Sequence, residues 1–215
     1  MNRRLFQKSF VEKIKNQLTE KLPGLDAHLK MSVKTREQRS IPTGVVPRKS
    51  AVLVLMYPFQ QQWFIPFIQR PRYNGVHSGQ MAFPGGKYEE GDKHLVMTAQ
   101  REAEEEVGIP YEKVEILGQM SDLYIPPSNM MVRPVLAYST ERPRFVLDPV
   151  EVDQLVEVPL LDFFDPANRK DVDVQVGERL RIQAPAYVVK EKVIWGATAM
   201  MMSELIEVLS TVIDG

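Results

Sequence analysis

The chain has 215 residues, 44% of them apolar, which suffices for one well-packed domain with appended elements. Charged residues make up 26% and the formal net charge is −1, so nothing global points to nucleic acid, an anionic membrane or an acidic partner. There is no cysteine, which excludes disulfides, thiolate zinc sites and a cysteine nucleophile and fits a cytoplasmic location.

Residues 5–18 repeat apolar positions at helical spacing (Phe6, Phe10, Ile14, Leu18), and Pro23-Gly24 ends that helix. Charges interrupt its apolar residues too often for a secretory core, so an amphipathic helix is expected rather than a targeting segment. No apolar run approaches the ~20 residues of a membrane span. Residues 30–49, polar and containing Pro42, Gly44 and Pro47, read as a connecting segment on the surface. The division expected is therefore 1–49, a helix and connector packed on the domain, and 50–215, the domain itself.

AVLVLMY (51–57) suits a buried strand, and QWFIPFIQR (62–70) a second one after a hairpin turn at Gln60-Gln61-Gln62. Pro66 inside it suggests an edge position or a bulge. MAF (81–83) reads as a short strand and Pro84-Gly85-Gly86 as a turn. Residues 94–107 are helical, with Leu95, Ala99, Ala103 and Val107 every four residues and Gly108 as the stop. Further strands are expected at 114–120, 131–138, 172–176 and 186–195, a short helix within 149–165, and a closing helix over Ala197–Leu209 with an apolar stripe at Met200, Met201, Leu205 and Val208 or Leu209. The methionines at 200–202 read as core packing. Strands before and after helices, without regular alternation, predict an α+β fold with a mixed sheet covered by helices.

Glu102, Glu105 and Glu106 stand at i, i+3 and i+4, so three carboxylates share one helix face. Like charges at these spacings cost roughly 0.2–0.5 kcal/mol per pair. They also occupy the last turns, where the macrodipole favours cations. A solvated acidic face is the bland explanation. Against it, the opposite face is small and apolar (Ala99, Ala103), which fixes the helix's direction, and two glycines precede it. A hard divalent cation relieves the repulsion, and glutamates without His or Cys point to Mg²⁺ or Mn²⁺.

The stretch Gly86-Lys87-Tyr88-Glu89-Glu90-Gly91-Asp92, then Arg101-Glu102-Ala103-Glu104-Glu105-Glu106-Val107-Gly108-Ile109, resembles the Nudix box. Its second half matches at every defined position. In the first half Asp92 stands where Glu is usual, and one extra residue precedes Arg101, so the acid is kept but its reach is altered. Arg70-Pro71, His77-Ser78-Gly79-Gln80 and Phe83-Pro84-Gly85-Gly86 are similar to the signature upstream of the box in coenzyme A diphosphatases, which share the lengthened box. A basic residue of that signature is missing between Arg70 and the glycines, where Gly75, Val76 and His77 stand. Ile194-Trp195-Gly196-Ala197-Thr198-Ala199 resembles their last strand-to-helix junction. The resemblance covers about residues 50–200. It implies an α/β/α sandwich and cleavage of coenzyme A to phosphopantetheine and adenosine 3′,5′-bisphosphate.

On this reading Glu102, Glu105 and Glu106 are the expected metal ligands, and the metal neutralises diphosphate oxygens and activates a water. Arg101 orients the glutamates, the alternative being a surface ion pair. Gly85 and Gly86 form a turn, with or without the Gly86 carbonyl as a further ligand. Arg70, His77, Gly85 and Lys87 are the candidate substrate contacts. Glu151 and Glu157 are candidate bases, Glu151 being also a natural helix-start carboxylate. Alternative substrates are ADP-ribose, dinucleotides and nucleoside triphosphates, because the box reads the diphosphate rather than its attachments. A non-catalytic Nudix-like regulator is the reading from another class; the retained glutamates oppose it. The partner expected is a small molecule, with no nucleic acid or membrane, and the family likeness suggests a homodimer.

Overall fold

A computed structural model of the chain describes residues 8–33, 40–71, 78–176 and 180–214. The central strand β1 (Arg48–Phe59) sets the architecture. Ala51, Leu53, Leu55 and Tyr57 are buried in one layer, and Val52, Val54 and Met56 in the other. A strand apolar on both faces must be covered on both. Helix α3 (Leu95–Val107) covers the first face. Helices α1 (Lys8–Thr19) and α4 (Gly196–Asp214) pack on the second, with the five-residue α2 (Leu25–Leu29) against α4. The result is the α/β/α sandwich.

The sheet is mixed. β1 runs parallel to β7 (Met130–Tyr138) and antiparallel to β2 (Gln62–Gln69) and β4 (Gly85–Lys87). Beyond β2 lie β3 (Met81–Ala82) and β8 (Gln154–Pro159); β7 also pairs β5 (Glu115–Gln119) and β6 (Leu123–Ile125). A separate three-stranded sheet holds β9 (Arg169–Val176), β10 (Leu180–Val189) and β11 (Lys192–Trp195).

Several expectations need correction. Pro84-Gly85-Gly86 is not a turn: Gly85 and Gly86 lie in β4, in register with Val52 and Ala51. The run 186–195 is two strands, because Lys190 and Glu191 both take positive φ (47° and 60°) and close a hairpin without the usual turn residues. Gln60 and Gln61 do the same between β1 and β2. Residues 149–165 hold β8 and a single 3-10 turn over Leu160–Phe163, not an α-helix. β2 is no edge strand, since β8 flanks it over Phe64–Gln69. Its other flank pairs β1 through Phe64 and β3 from Ile68, leaving a gap around Pro66.

The connector expected on the surface, residues 30–49, carries a buried residue at its second position, Met31 at 1% exposure. By length and composition α4 could span a bilayer, but Thr198 through Leu205 are all buried, as in a core helix.

Candidate active site

The acidic helix is held at both ends by backbone and side-chain contacts. His94 caps its start, Nδ1 accepting the Met97 N–H, and Gly108 closes it at φ 69°. Ala99 and Ala103, both fully buried, let α3 approach β1 closely. The last carbonyls of a helix lack intrahelical partners. Here Val146 N–H donates to Val107 O and Asp148 N–H to Glu106 O, each at 3.0 Å. The chain after these contacts turns at Asp148, whose Oδ1 accepts the Val150 N–H at 2.7 Å, and delivers Glu151 to the acidic face of α3.

Carboxylate oxygens of Glu102, Glu106 and Glu151 lie within 4.8 Å of one another. Glu106 is buried, the Glu102 side chain is 13% exposed, and Glu151 is exposed. Burial pushes the Glu106 carboxyl up to about 7, against the Arg70 charge and the Gly85 N–H, which favour the ionised form; Glu102 and Glu151 add to the rise. Burial also raises Glu102, opposed by Arg101. Three acids this close must share protons or a cation. An all-oxygen donor set suits a hard divalent ion, so these residues fit such a group.

The two glycines of β4 are packing requirements. A Cβ on Gly85 would stand 2.4 Å from Ala51 O, and one on Gly86 2.4 Å from the Glu102 carboxylate. With no side chain in the way, Gly85 N–H donates to Glu106 Oε2 at 2.8 Å. The Gly86 carbonyl accepts the Ser50 hydroxyl at 2.5 Å.

Arg101 is the organiser of this face. It reaches Glu102 Oε1 at 3.1 Å, Glu105 Oε2 at 2.8 Å and the Lys87 carbonyl at 3.0 Å. Its Nε donates to Asp92 Oδ1 at 3.1 Å, and Asp92 Oδ2 accepts Thr98 Oγ1 at 2.8 Å and the Glu89 N–H at 3.1 Å. The Arg101 guanidinium is the main reason the Asp92 carboxyl sits below its usual range. Asp92, whose altered reach the sequence leaves without a role, is thus a buried anchor for Arg101.

The structure brings together part of the expected set. Glu102, Glu106, Arg70, Gly85, Gly86 and Lys87 line one cavity of about 610 Å³. Arg70 Nη2 donates to Gly85 O at 3.3 Å and points its charge at Glu106. Glu105 is not brought in: its side chain is 57% exposed and turned onto Arg101. Glu151 joins the cluster instead, from an irregular turn and not from a helix start. Glu157 is elsewhere, accepting Tyr57 OH at 2.6 Å and two Arg142 nitrogens at 2.7 Å on β8, so it is not a candidate base here. His77 lies outside the described residues. An Asp148-Pro149 turn signal precedes Glu151, but the acidic helix ends at Val107, far back along the chain, and nothing in the sequence ties the two together.

Residues 47–177 match the NUDIX domain family. The chain is 32% identical over 180 residues to a protein of Pectobacterium atrosepticum named "Uncharacterized Nudix hydrolase NudL", covering 80% of this chain and 90% of that one. It is 36% identical over 130 residues to the NudL of Photorhabdus laumondii (60% and 68% covered), and 30% identical to "Nudix hydrolase 15, mitochondrial" of Arabidopsis thaliana (74% and 57% covered). The solved Nudix hydrolase RenU of M. smegmatis shares the fold, with a TM-score of 0.54 at 18% identity over 77% of this chain and 87% of that one. With its box on α3 and its glutamates gathered over β4, the chain belongs to the Nudix hydrolase family.

Proposed function

We propose that the chain is a Mg²⁺- or Mn²⁺-dependent diphosphatase that cleaves coenzyme A or its derivatives to phosphopantetheine and adenosine 3′,5′-bisphosphate. The observation that carries this reading is the cavity itself. One continuous space joins three carboxylates and Arg70 to a long lobe lined by apolar residues, among them Met81, Phe83, Met130 and Trp195. Its volume falls in the range of small-molecule sites. The upstream signature around Arg70 and Phe83-Pro84-Gly85-Gly86 supports coenzyme A over other diphosphates.

Glu102 and Glu106 are the ligands, held in place by Arg101 and by the Gly85 N–H. When bound, the cation supplies charge neutralisation at the diphosphate oxygens and acidifies water. Arg70 and Lys87, on the same wall, neutralise the remaining phosphate charge. Glu151, the exposed member of the cluster, takes the proton of the attacking water. One P–O bond of the anhydride breaks as the water oxygen bonds to phosphorus, and the departing phosphate leaves as a stable anion.

The test is a substrate panel. Purified protein with Mg²⁺ or Mn²⁺ is given coenzyme A, ADP-ribose, NADH and nucleoside triphosphates, and the products are separated and weighed. Preference for coenzyme A with the two products named above is expected. Preference for ADP-ribose would overturn the substrate while sparing the diphosphatase.

A further inference from the structure

The cavity has a half that the cleavage chemistry leaves unused. Besides the carboxylates, the cavity's lining takes in residues of the layer that α4 covers. There its wall includes Met31, Val33, Ile125, Met130, Ile182 and Trp195. Met31 and Val33 come from the N-terminal segment, ahead of residues 47–177 that match the family. The family domain alone therefore leaves this wall incomplete.

The segment is fixed by a buried hub. Glu204 on α4 is fully buried, and its carboxylate meets His28 Nε2 at 3.0 Å and accepts the Gly24 N–H at 3.2 Å. Met31 N–H in turn donates to His28 O at 3.1 Å, and Arg169 holds the Lys30 carbonyl. The same carboxylate accepts the Ser121 N–H at 3.2 Å, at the start of the stretch that leads to Ile125 on β6. One acid thus fixes two walls of the apolar lobe.

The lining chemistry says what fits. A sugar brings hydroxyls that need partners, and an apolar lobe would leave them unsatisfied at a cost. Thr198 Oγ1 is already spent on Met81 O at 3.0 Å. Ser128 lines the wall too, but its Oγ is buried and presents no hydroxyl to the cavity. Arg48, the cation on this side of the cavity, turns one guanidinium nitrogen onto Ser128 O at 2.8 Å. A chain that is mostly uncharged, with sparse amides, matches the apolar side chains that make up the rest of this wall.

We infer that Met31 and Val33 form the recognition wall for the arm beyond the substrate's second phosphate, an extended and largely uncharged chain, and that Glu204 is the positioning residue for that wall. This rests on the diphosphatase reading above.

The experiment is calorimetry on the full chain with the two halves of the substrate as separate probes, 4′-phosphopantetheine and adenosine 3′,5′-bisphosphate. Met31→Ala should weaken phosphopantetheine by about tenfold, since several buried contacts are lost. Val33→Asp, at a position 48% exposed and so tolerant of substitution, should do likewise. Adenosine bisphosphate affinity should stay within about twofold in both. Glu204→Gln should raise KM for coenzyme A with kcat little changed. The inference is overturned if phosphopantetheine fails to bind the wild type, if neither wall variant alters its affinity, or if both probes weaken together. Coenzyme A turnover by the wild type is read in parallel. Cleavage with an indifferent wall sinks only this inference, whereas a selective wall without cleavage of any diphosphate sinks the reaction and leaves the wall standing.

Discussion

Gly86 and Glu102 are so close that a Cβ built on the glycine would stand 2.4 Å from the carboxylate carbon. The helix brings the acid and the strand leaves room for it; neither element explains the other alone. Arg101, 3.1 Å from the same carboxylate, prevents Glu102 from simply swinging aside.

Gly86→Ala is therefore expected to displace Glu102 without unfolding the sheet. A shift of about 1 Å in a reacting geometry costs on the order of 100-fold in rate. Steady-state kcat should fall by that order while the circular dichroism spectrum is unchanged.

Proton release should accompany cation binding. The metal-free Glu106 carboxyl, pushed up to about 7 by burial, holds its proton at pH 6 and has mostly lost it by pH 8. Because this folded-state value lies above the ordinary one, the metal-free fold gains from the protonated form below the unfolded carboxyl range and loses that stability as pH rises through 7. Manganese displaces the proton. Titration calorimetry in buffers of different ionisation enthalpy should count about one proton per ion at pH 6 and about a tenth at pH 8. Equal counts at both would contradict the burial of Glu106.

Much of this face was legible before any coordinates. The expectation that sets Ala99 and Ala103 on a face opposite the glutamates does not hold, however. Ala99, Glu102, Ala103 and Glu106 stand at i, i+3, i+4 and i+7 and share one stripe of α3, so Glu106 is buried beside the alanines and Glu105 is left outside. What stayed hidden depended on tertiary contact. Asp92 is one residue off the usual spacing, yet it still reaches Arg101, while Thr98 on α3 and the Glu89 N–H donate to its other oxygen. Glu151 gave no local sign, because its place comes from Val146 and Asp148 pairing with the end of α3. The hairpin at Lys190-Glu191 hid because neither residue favours positive φ.

Asp92→Asn should cost stability as well as rate. Arg101 would lose its charged partner, and a hydrogen bond to a charged group is worth about 1.5–3 kcal/mol. Thermal melts should show a drop of several degrees. The acid-limb dependence of stability should also shrink, since an acid held below its usual range stabilises above the unfolded carboxyl range and loses that contribution as pH falls through its folded value.

Glu204→Ala strands His28 in the core. Breaking one member of a buried pair costs about 3–5 kcal/mol. In a chain of this length that is a fall in Tm of about 6–20 °C. In the wild type, burial alone would raise this acid, but His28 and Ser121 outweigh it and hold it below the usual range. Its contribution is therefore present at neutral pH and lost in acid, which denaturant melts from pH 7 to pH 3 will register.

The account stands on Glu102 and Glu106 holding a divalent ion, with Glu151 beside them. The direct measurement is coenzyme A hydrolysis paired with Mn²⁺ binding for Glu106→Gln, Glu151→Gln and Glu105→Gln. Glu106→Gln should lose both ion and turnover, Glu151→Gln should keep the ion and lose turnover, and Glu105→Gln, exposed on Arg101, should lose least. Wild-type turnover and Mn²⁺ affinity in Glu106→Gln would contradict it.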